Sequence, residues 1–489
     1  MMPFFQEHTM KEIISKELVI HPFLFSIFPI LALFSKNLAT VYPKQILLPL
    51  AVFLLLTAIV FFSMSRILRD MVKSGLLLSI FLIFFFSYGH LYFFLRSLFE
   101  NQPFTLALIR HRFFLPLYII ALFLSSYVIV RTHKRLEFVN IVFNYISLFL
   151  VVVNALSIFS YYVPKTTLSL NSPRKDRLKD ETRFLLPKDS GYLPDIYYII
   201  LDEYAGFKTI KKYYDYDPIR FYDYLVEKGF FIADDSRSNY ILTSYSIPSA
   251  LNMTYIHKDM HLNSKNRVAE FLKSKGYKYV YVSHIYPSIT QDQDLIICSS
   301  PLDDFSQALF NYSILILFSE TVWRTSLLKL FDEVGFISQI PGPKLVFIYI
   351  CSPHPPFVFG PNGESIMYTD HTNWTNKQFY LSQWVFITKK IQAIIETLLL
   401  GSEREPIIIV HSDHGVRAVD RPFSFEIFNA CYLPDKNYHL LYESISPVNI
   451  FRVVFNSHFG AHYEILKDKM YIHDRTFTNF TEFPYTSLK

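Results

Sequence analysis

Residues Pro406 to Gly415 read PIIIVHSDHG. Ile407, Ile408, Ile409 and Val410 form the short apolar run expected of a strand covered on both faces, as in a parallel α/β sheet. The run breaks at Ser412-Asp413-His414-Gly415, and ligands of such sheets sit beyond the carboxyl ends of the strands. A carboxylate beside an imidazole there is half of a divalent-metal site. The four letters alone also fit a turn opened by Asp413 with His414 as a loop histidine. Two other strand ends in the chain favour the metal reading.

The first is PDIYYIILDEY from Pro194, an apolar run ending in Asp202-Glu203; the second is KLVFIYICSPHPPF from Lys344, read as one long strand ending at His354. YKYVYVSHIY from Tyr277 is a further strand. Helical spacing is read over Ile219–Lys228 with Gly229 as its stop, over RVAEFLKSKG, over Phe379–Leu400, and over PVNIFRVVFNSHFG with Gly460 as its cap. Strands alternating with helices across about 290 residues predict one large α/β domain. Parallel strands would bring Asp202-Glu203, His354 and Asp413-His414 to one edge, a donor set suited to Zn²⁺, Mn²⁺ or Mg²⁺. Between them lies SNYILTSYSIPSALN, from Ser238 to Asn252, with Thr243, Ser244, Ser246 and Ser249 ahead of an expected helix start. A hydroxyl at a helix N-terminus has N–H groups and the positive dipole end beside it, both favourable to an alkoxide or a phosphate. Capping and turn formation are the other ordinary roles for Ser and Thr at that position.

The rest of the chain is of another kind. Hydrophobic residues make up 51% of the 489 and aromatics 18%, which points to a membrane protein. The net charge of +5 is small for this length and gives no sign of nucleic-acid binding. Cys298, Cys351 and Cys431 are isolated, so no disulfide framework is read from them. Five apolar stretches follow a short tail, at residues 18–34, 45–64, 75–95, 113–130 and 138–161, each near the ~20 residues a crossing helix needs. The first is short and carries His21, Pro22 and Pro29. Lys and Arg in the tail, the second–third loop and the fourth–fifth loop outnumber those on the other side by eight to five, predicting a cytoplasmic N-terminus. No span has Asp, Glu, Lys or Arg at its centre, so the spans read as an anchor and not as a transport path. The expected organisation is a transmembrane domain over 1–162, a polar linker over 163–193 and an extramembrane domain over 194–489. Ala308–Ser319 is apolar but too short to cross; a buried helix is preferred there over an element facing the membrane.

Taken together, these residues resemble the alkaline phosphatase/sulfatase superfamily, and with five preceding spans the chain is similar to its membrane-anchored branch, the lipoteichoic acid synthases and lipid A phosphoethanolamine transferases. The resemblance implies an α-helical membrane domain followed by a three-layer α/β sandwich. It implies Asp202, Asp413 and His414 as metal ligands, Thr243 as both ligand and nucleophile, and His354 as the group that contacts substrate or protonates the leaving group. Glu203 stands where sulfatases place a second acidic ligand. Ser246-Ile247-Pro248-Ser249-Ala250 lacks the Cys and the Arg of the sulfatase nucleophile motif, which favours Thr243, with Ser246 second. Arg417, just past the SDHG, is a candidate for a phosphate oxygen. One divalent ion is expected; a second is left open, with Asp370, His371 and His284 as contributors. The implied reaction transfers a phosphoethanolamine or phosphoglycerol head group from a phospholipid to an envelope glycan or lipid through a phospho-threonine. The implied location is the bacterial inner membrane, multi-pass, with the catalytic domain on the periplasmic or extracellular side. The alternatives are a hydrolase of the same superfamily and an inactive envelope scaffold.

Overall fold

The computed structural model describes residues 18–38, 41–99, 102–132, 135–169, 193–256, 266–285, 292–366, 376–473 and 480–484. The chain divides into two compact units, one of residues 1–180 with 302–319, the other of residues 181–301 with 320–489.

The first unit is helical. Its long helices are α1 (His21–Lys36), α2 (Pro43–Leu68), α3 (Met71–Leu98), α5 (His111–Arg131) and α6 (Glu137–Ser169), with a short α4 (Pro103–Leu108) before α5. Four of them, α2, α3, α5 and α6, are long and apolar enough to cross a membrane; α1 is shorter, at 16 residues. Buried polar groups fix α1 among its neighbours. His21 meets Ser79 of α3 through Nδ1 at 2.5 Å and Asn140 of α6 through Nε2 at 3.1 Å. Such pairs are needed wherever a polar ring is shut away from water. α6 extends to Ser169, eight residues past the end expected for the last span, and residues 170–192 of the expected linker lie outside the described residues.

Ala308–Ser319, where a buried helix is preferred over an element facing the membrane, falls in the first unit. Leu302–Ser319 leaves the second unit and packs in the helical one, as α11 (Asp304–Tyr312) and a 3₁₀ turn (Ile314–Phe318). Phe305 and Leu309 join Phe34, Phe61 and Phe86 in one apolar cluster, and Ile316 joins Tyr88 and Tyr118 in another. Tyr312 stacks on His90 with centroids 4.4 Å apart and planes 8° from parallel. Gly89 allows this approach, because a Cβ there would collide with the carbonyl of Asn311 and the main chain of Tyr312. Backbone cannot yield as a side chain would. Gly89→Leu is therefore expected to destabilise the helical unit by about 1–3 kcal/mol and to speed proteolysis within Leu302–Ser319. Unchanged melting and cleavage in detergent would count against this packing.

The second unit is an α/β sandwich on a seven-stranded sheet of order β2-β7-β6-β1-β5-β3-β4. The strands are β1 (Ile196–Leu201), β2 (Phe231–Ile232), β3 (Lys278–Ser283), β4 (Leu295–Cys298), β5 (Lys344–Ile350), β6 (Ile407–Ser412) and β7 (Asn429–Tyr432). β1 lies between β5 and β6 with all three parallel, while β7 and β2 run antiparallel at one edge. Every residue of β1 is buried, and successive side chains feed opposite faces. Tyr197, Ile199 and Leu201 pack with Trp384, Ile387 and Ile391 of α13 (Lys377–Gly401). Ile196, Tyr198 and Ile200 pack with Ile247 of α9 (Thr243–Asn252) and Phe451 of α14 (Pro447–His458). Burying each such side chain contributes about 1.5–3 kcal/mol. Helices thus cover both faces, and that is why β1 and β6 read as unbroken apolar runs.

The register positions the site. Leu201 is level with Ile350 of β5 and with Ser412 of β6, so Asp202, Cys351 and Asp413 emerge side by side at the carboxyl edge. β5 ends at Ile350 and not at His354. Pro353, Pro355 and Pro356 have no N–H to extend the ladder, so His354 falls in a loop. That loop stays at the edge because the His354 N–H donates to the Asp202 carbonyl at 3.2 Å.

Candidate metal and nucleophile site

Asp202, Asp413 and His414 are buried, and one donor atom from each lies within 4.8 Å of the others. His414 Nε2 is 3.6 Å from Asp202 Oδ1 and 3.6 Å from Asp413 Oδ2. The other face of each group is committed. Asp413 Oδ1 accepts the N–H groups of Glu203 at 3.1 Å and His414 at 2.8 Å. Asp202 Oδ2 accepts the Tyr349 hydroxyl at 2.6 Å and the Cys351 thiol at 3.1 Å. His414 Nδ1 is 2.8 Å from the Gly415 carbonyl, which can only accept, so Nδ1 carries the proton and Nε2 presents its lone pair. Asp202 Oδ1 and Asp413 Oδ2 are left buried with no hydrogen-bond partner. Orphaned carboxylate oxygens converging on an imidazole lone pair are what a divalent cation requires and what an ordinary core avoids. The residues fit such an ion.

The titration behaviour agrees. Burial, then the neighbouring Asp202, pushes Asp413 well above the usual carboxylate range. Burial also opposes ionising Asp202, but His354 and His414, with the Tyr349 and Cys351 donors, outweigh it and hold Asp202 low. Burial depresses His414 against the pull of Asp202, which favours the neutral imidazole that ligates. Two close carboxylates behaving in this way share a proton. Gly415 makes the turn possible: a Cβ there would stand 2.5 Å from the Glu426 carbonyl oxygen and 2.7 Å from that of Phe423.

Thr243 opens α9, and its Oγ1 is 3.5 Å from His414 Nε2. Leu242 at the N-cap supplies no side-chain acceptor, and its carbonyl takes the N–H groups of Tyr245 and Ser246, so those of Thr243 and Ser244 remain for an anion beside the hydroxyl. Ser246, one turn on, is occupied: its hydroxyl donates to the Asp413 carbonyl at 2.5 Å in a buried position. Ser249 is likewise held, on the Thr254 carbonyl at 2.8 Å.

Glu203 adopts φ +59, a left-handed conformation costly for a non-glycine residue. Its Oε1 accepts the Arg417 main-chain N–H at 2.8 Å, and burial raises its pKa. Its donor atoms are outside the 4.8 Å groups, so its observed work is to hold the loop after the SDHG. His354, with Asp202 and Cys351, forms a second group within 4.8 Å, and its Nδ1 is on the Pro355 carbonyl at 2.6 Å. His284 follows β3 and is buried with neither ring nitrogen hydrogen-bonded; it sits edge-on to Trp323 at 4.9 Å, and burial lowers its pKa to about 3. It is in neither group. Asp370 and His371 lie outside the described residues.

Sequence reasoning missed Tyr349 and Cys351. The rule that singled out Asp202 after β1 applies equally to Cys351 after β5, and a tyrosine inside an all-buried strand must find a partner for its hydroxyl.

No family model and no curated protein matches the chain. Among solved structures it is similar to the C-terminal periplasmic domain of EcEptC from Escherichia coli, at 13% identity over 61% of this chain and 95% of that one, TM-score 0.43. It is similar to the C-terminal periplasmic domain of the phosphoethanolamine transferase EptC from Campylobacter jejuni, at 13% over 54% and 89%, TM-score 0.36. A third is the lipoteichoic acid synthase LtaP from Listeria monocytogenes, at 14% over 54% and 71%, TM-score 0.35. It is similar as well to a protein in the alkaline phosphatase superfamily from Vibrio parahaemolyticus, at 12% over 57% and 72%, TM-score 0.40. Identities this low leave the function to the geometry of the site.

Proposed function

We propose that the chain is a membrane-anchored, metal-dependent transferase that moves a phospho-head-group, phosphoethanolamine or phosphoglycerol, from a phospholipid to a hydroxyl of an envelope glycan or lipid. The observation that carries this reading is the Thr243 hydroxyl 3.5 Å from the lone pair of His414, around which the unpartnered oxygens of Asp202 and Asp413 gather. Asp202, Asp413, His414 and Thr243 would hold the ion. When bound, it supplies Lewis acidity and lowers the pKa of a coordinated hydroxyl.

The chain's own groups do the rest. Thr243 Oγ1 gives up its proton to solvent and bonds to phosphorus as the bond to the diacylglycerol oxygen breaks, and protonated His354 gives that oxygen its proton. The α9 N–H groups stabilise the equatorial oxygens. An acceptor hydroxyl then loses its proton to His354 and attacks phosphorus, and the bond to Thr243 breaks, its oxygen taking a proton back from solvent. Covalent catalysis divides one hard displacement into two. Four apolar helices long enough to cross a bilayer favour a lipid donor, since anchoring raises its effective concentration at the site. The reading places the N-terminus in the cytoplasm and the α/β domain on the outer side of a bacterial inner membrane.

The test uses the full-length protein in detergent with mixed phospholipids, with and without Mn²⁺ or Zn²⁺. Expected are metal-dependent release of diacylglycerol and an intact-mass increase equal to a head-group phosphate. Bound metal with intact lipid and unmodified protein would sink the proposal. Free head-group phosphate with no acceptor product would mark a hydrolase. Ser246→Ala should retain the adduct, because the Ser246 hydroxyl already donates to Asp413, while destabilising the fold by about 1–3 kcal/mol. Loss of the adduct at full metal occupancy would reopen Ser246 as the nucleophile.

A further inference from the structure

Arg417 reaches inward from an exposed position to the buried ligand set. Its Nη2 is 2.8 Å from His414 Nε2. The His414 Nδ1 proton is committed to the Gly415 carbonyl at 2.8 Å, so Nε2 is the acceptor and the guanidinium the donor. The stem is anchored as well, through the Arg417 main-chain N–H on Glu203 Oε1 at 2.8 Å. An imidazole nitrogen has one lone pair, and it cannot serve a guanidinium proton and a metal ion together. The carboxylates of Asp202 and Asp413, each 3.6 Å from the same nitrogen, attract either cation.

We propose that Arg417 competes with the divalent ion for His414, acting as a tethered internal cation that must swing aside before the metal can load. This rests on the metal reading above. Guanidinium suits the part, since it is planar, permanently charged and weakly hydrated, so it can enter a buried polar pocket at modest desolvation cost. Its position also ties loading to the loop after the SDHG: the residue that leaves His414 is the one whose main chain Glu203 holds in place. The ion therefore meets a site kept in order by a weaker cation.

The experiment titrates Mn²⁺ into chelator-treated full-length protein in detergent, comparing wild type, Arg417→Gln and Arg417→Lys. Losing a charge-assisted competitor should tighten binding in Arg417→Gln by about tenfold or more, through faster association. The metal-induced rise in melting temperature should also grow, because the chelated variant has lost its internal cation while the loaded forms are alike. Arg417→Lys keeps the charge without the fork and should fall between; if the glutamine variant does not fold, the lysine variant carries the same comparison. Equal or weaker Mn²⁺ binding in both variants overturns the inference, as does an equal drop in melting temperature with and without metal. A wild type that binds no Mn²⁺ overturns the metal reading itself, which is a separate result.

Discussion

Thr243→Ala should yield no head-group-phosphate adduct by intact mass and should lower diacylglycerol release by more than about a thousandfold, the scale expected when a covalent nucleophile is removed. Three features make the loss severe. Thr243 is the hydroxyl the structure brings to His414 Nε2, at 3.5 Å. The neighbouring Ser246 hydroxyl is spent on the Asp413 carbonyl and cannot substitute without breaking a buried hydrogen bond. Thr243 also opens α9, so the helix N-terminus that would hold the phosphate serves that residue and not one further along. Because the Thr243 side chain caps nothing in α9 and is only half-buried, its removal should lower the melting temperature by no more than a few degrees. Thr243→Ser, which keeps the oxygen, should recover a measurable part of the turnover. An adduct that persists on Thr243→Ala would place the nucleophile elsewhere and take the proposed mechanism with it.

Much of the arrangement is legible in the sequence because parallel sheets announce themselves. A strand covered on both faces must be apolar throughout, so IYYIIL and IIIVHS stand out, and the residues that end them stand at the ligand edge. Asp202 and Asp413 become visible in this way, and the register of β1 with β5 and β6 brings them together. Other features have no such signal. Leu302–Ser319 is apolar whichever core receives it, and only three-dimensional complementarity, with Gly89 opening room for Asn311 and Tyr312, assigns it to the helical unit. β5 looked longer than it is because hydrophobicity carries through Cys351 while the hydrogen-bonding capacity of the proline-rich loop does not. The contact of Arg417 with His414 depends on a rotamer, and rotamers of exposed arginines are set by what lies beneath them. The division of labour on Asp202, one oxygen toward Tyr349 and Cys351 and the other toward His414, follows from the register but needs the side-chain directions as well.

Asp413→Asn is the sharpest test of the ion itself. The substitution is nearly isosteric, and the amide oxygen can keep the N–H groups of Glu203 and His414 that Asp413 Oδ1 accepts, so the loop should hold. What is lost is the anionic Oδ2, 3.6 Å from His414 Nε2. Mn²⁺ or Zn²⁺ affinity should fall by more than about a hundredfold, beyond the range typical of an outer-shell partner. The pH dependence should change with it. Burial and Asp202 raise Asp413 above its usual range, so wild type retains a proton that the ion must displace, and affinity should climb as pH rises toward that elevated value. Folding carries the opposite sign. A carboxyl whose folded pKa is raised contributes stability that is fully present below its unfolded pKa and is lost as pH rises through the folded one. Chelated wild type should therefore lose stability as pH rises from the ordinary carboxyl range through about 8, and chelated Asp413→Asn should not show that component. Asp202 shifts the other way and acts below that window, so the two contributions separate by pH. Calorimetry in buffers of different ionisation heat, between about pH 6 and about pH 9, counts the protons released on metal binding. About one should leave wild type and close to none the variant. Equal proton release from both would show that the proton is not shared by Asp202 and Asp413, and undiminished affinity would remove Asp413 from the ligand set.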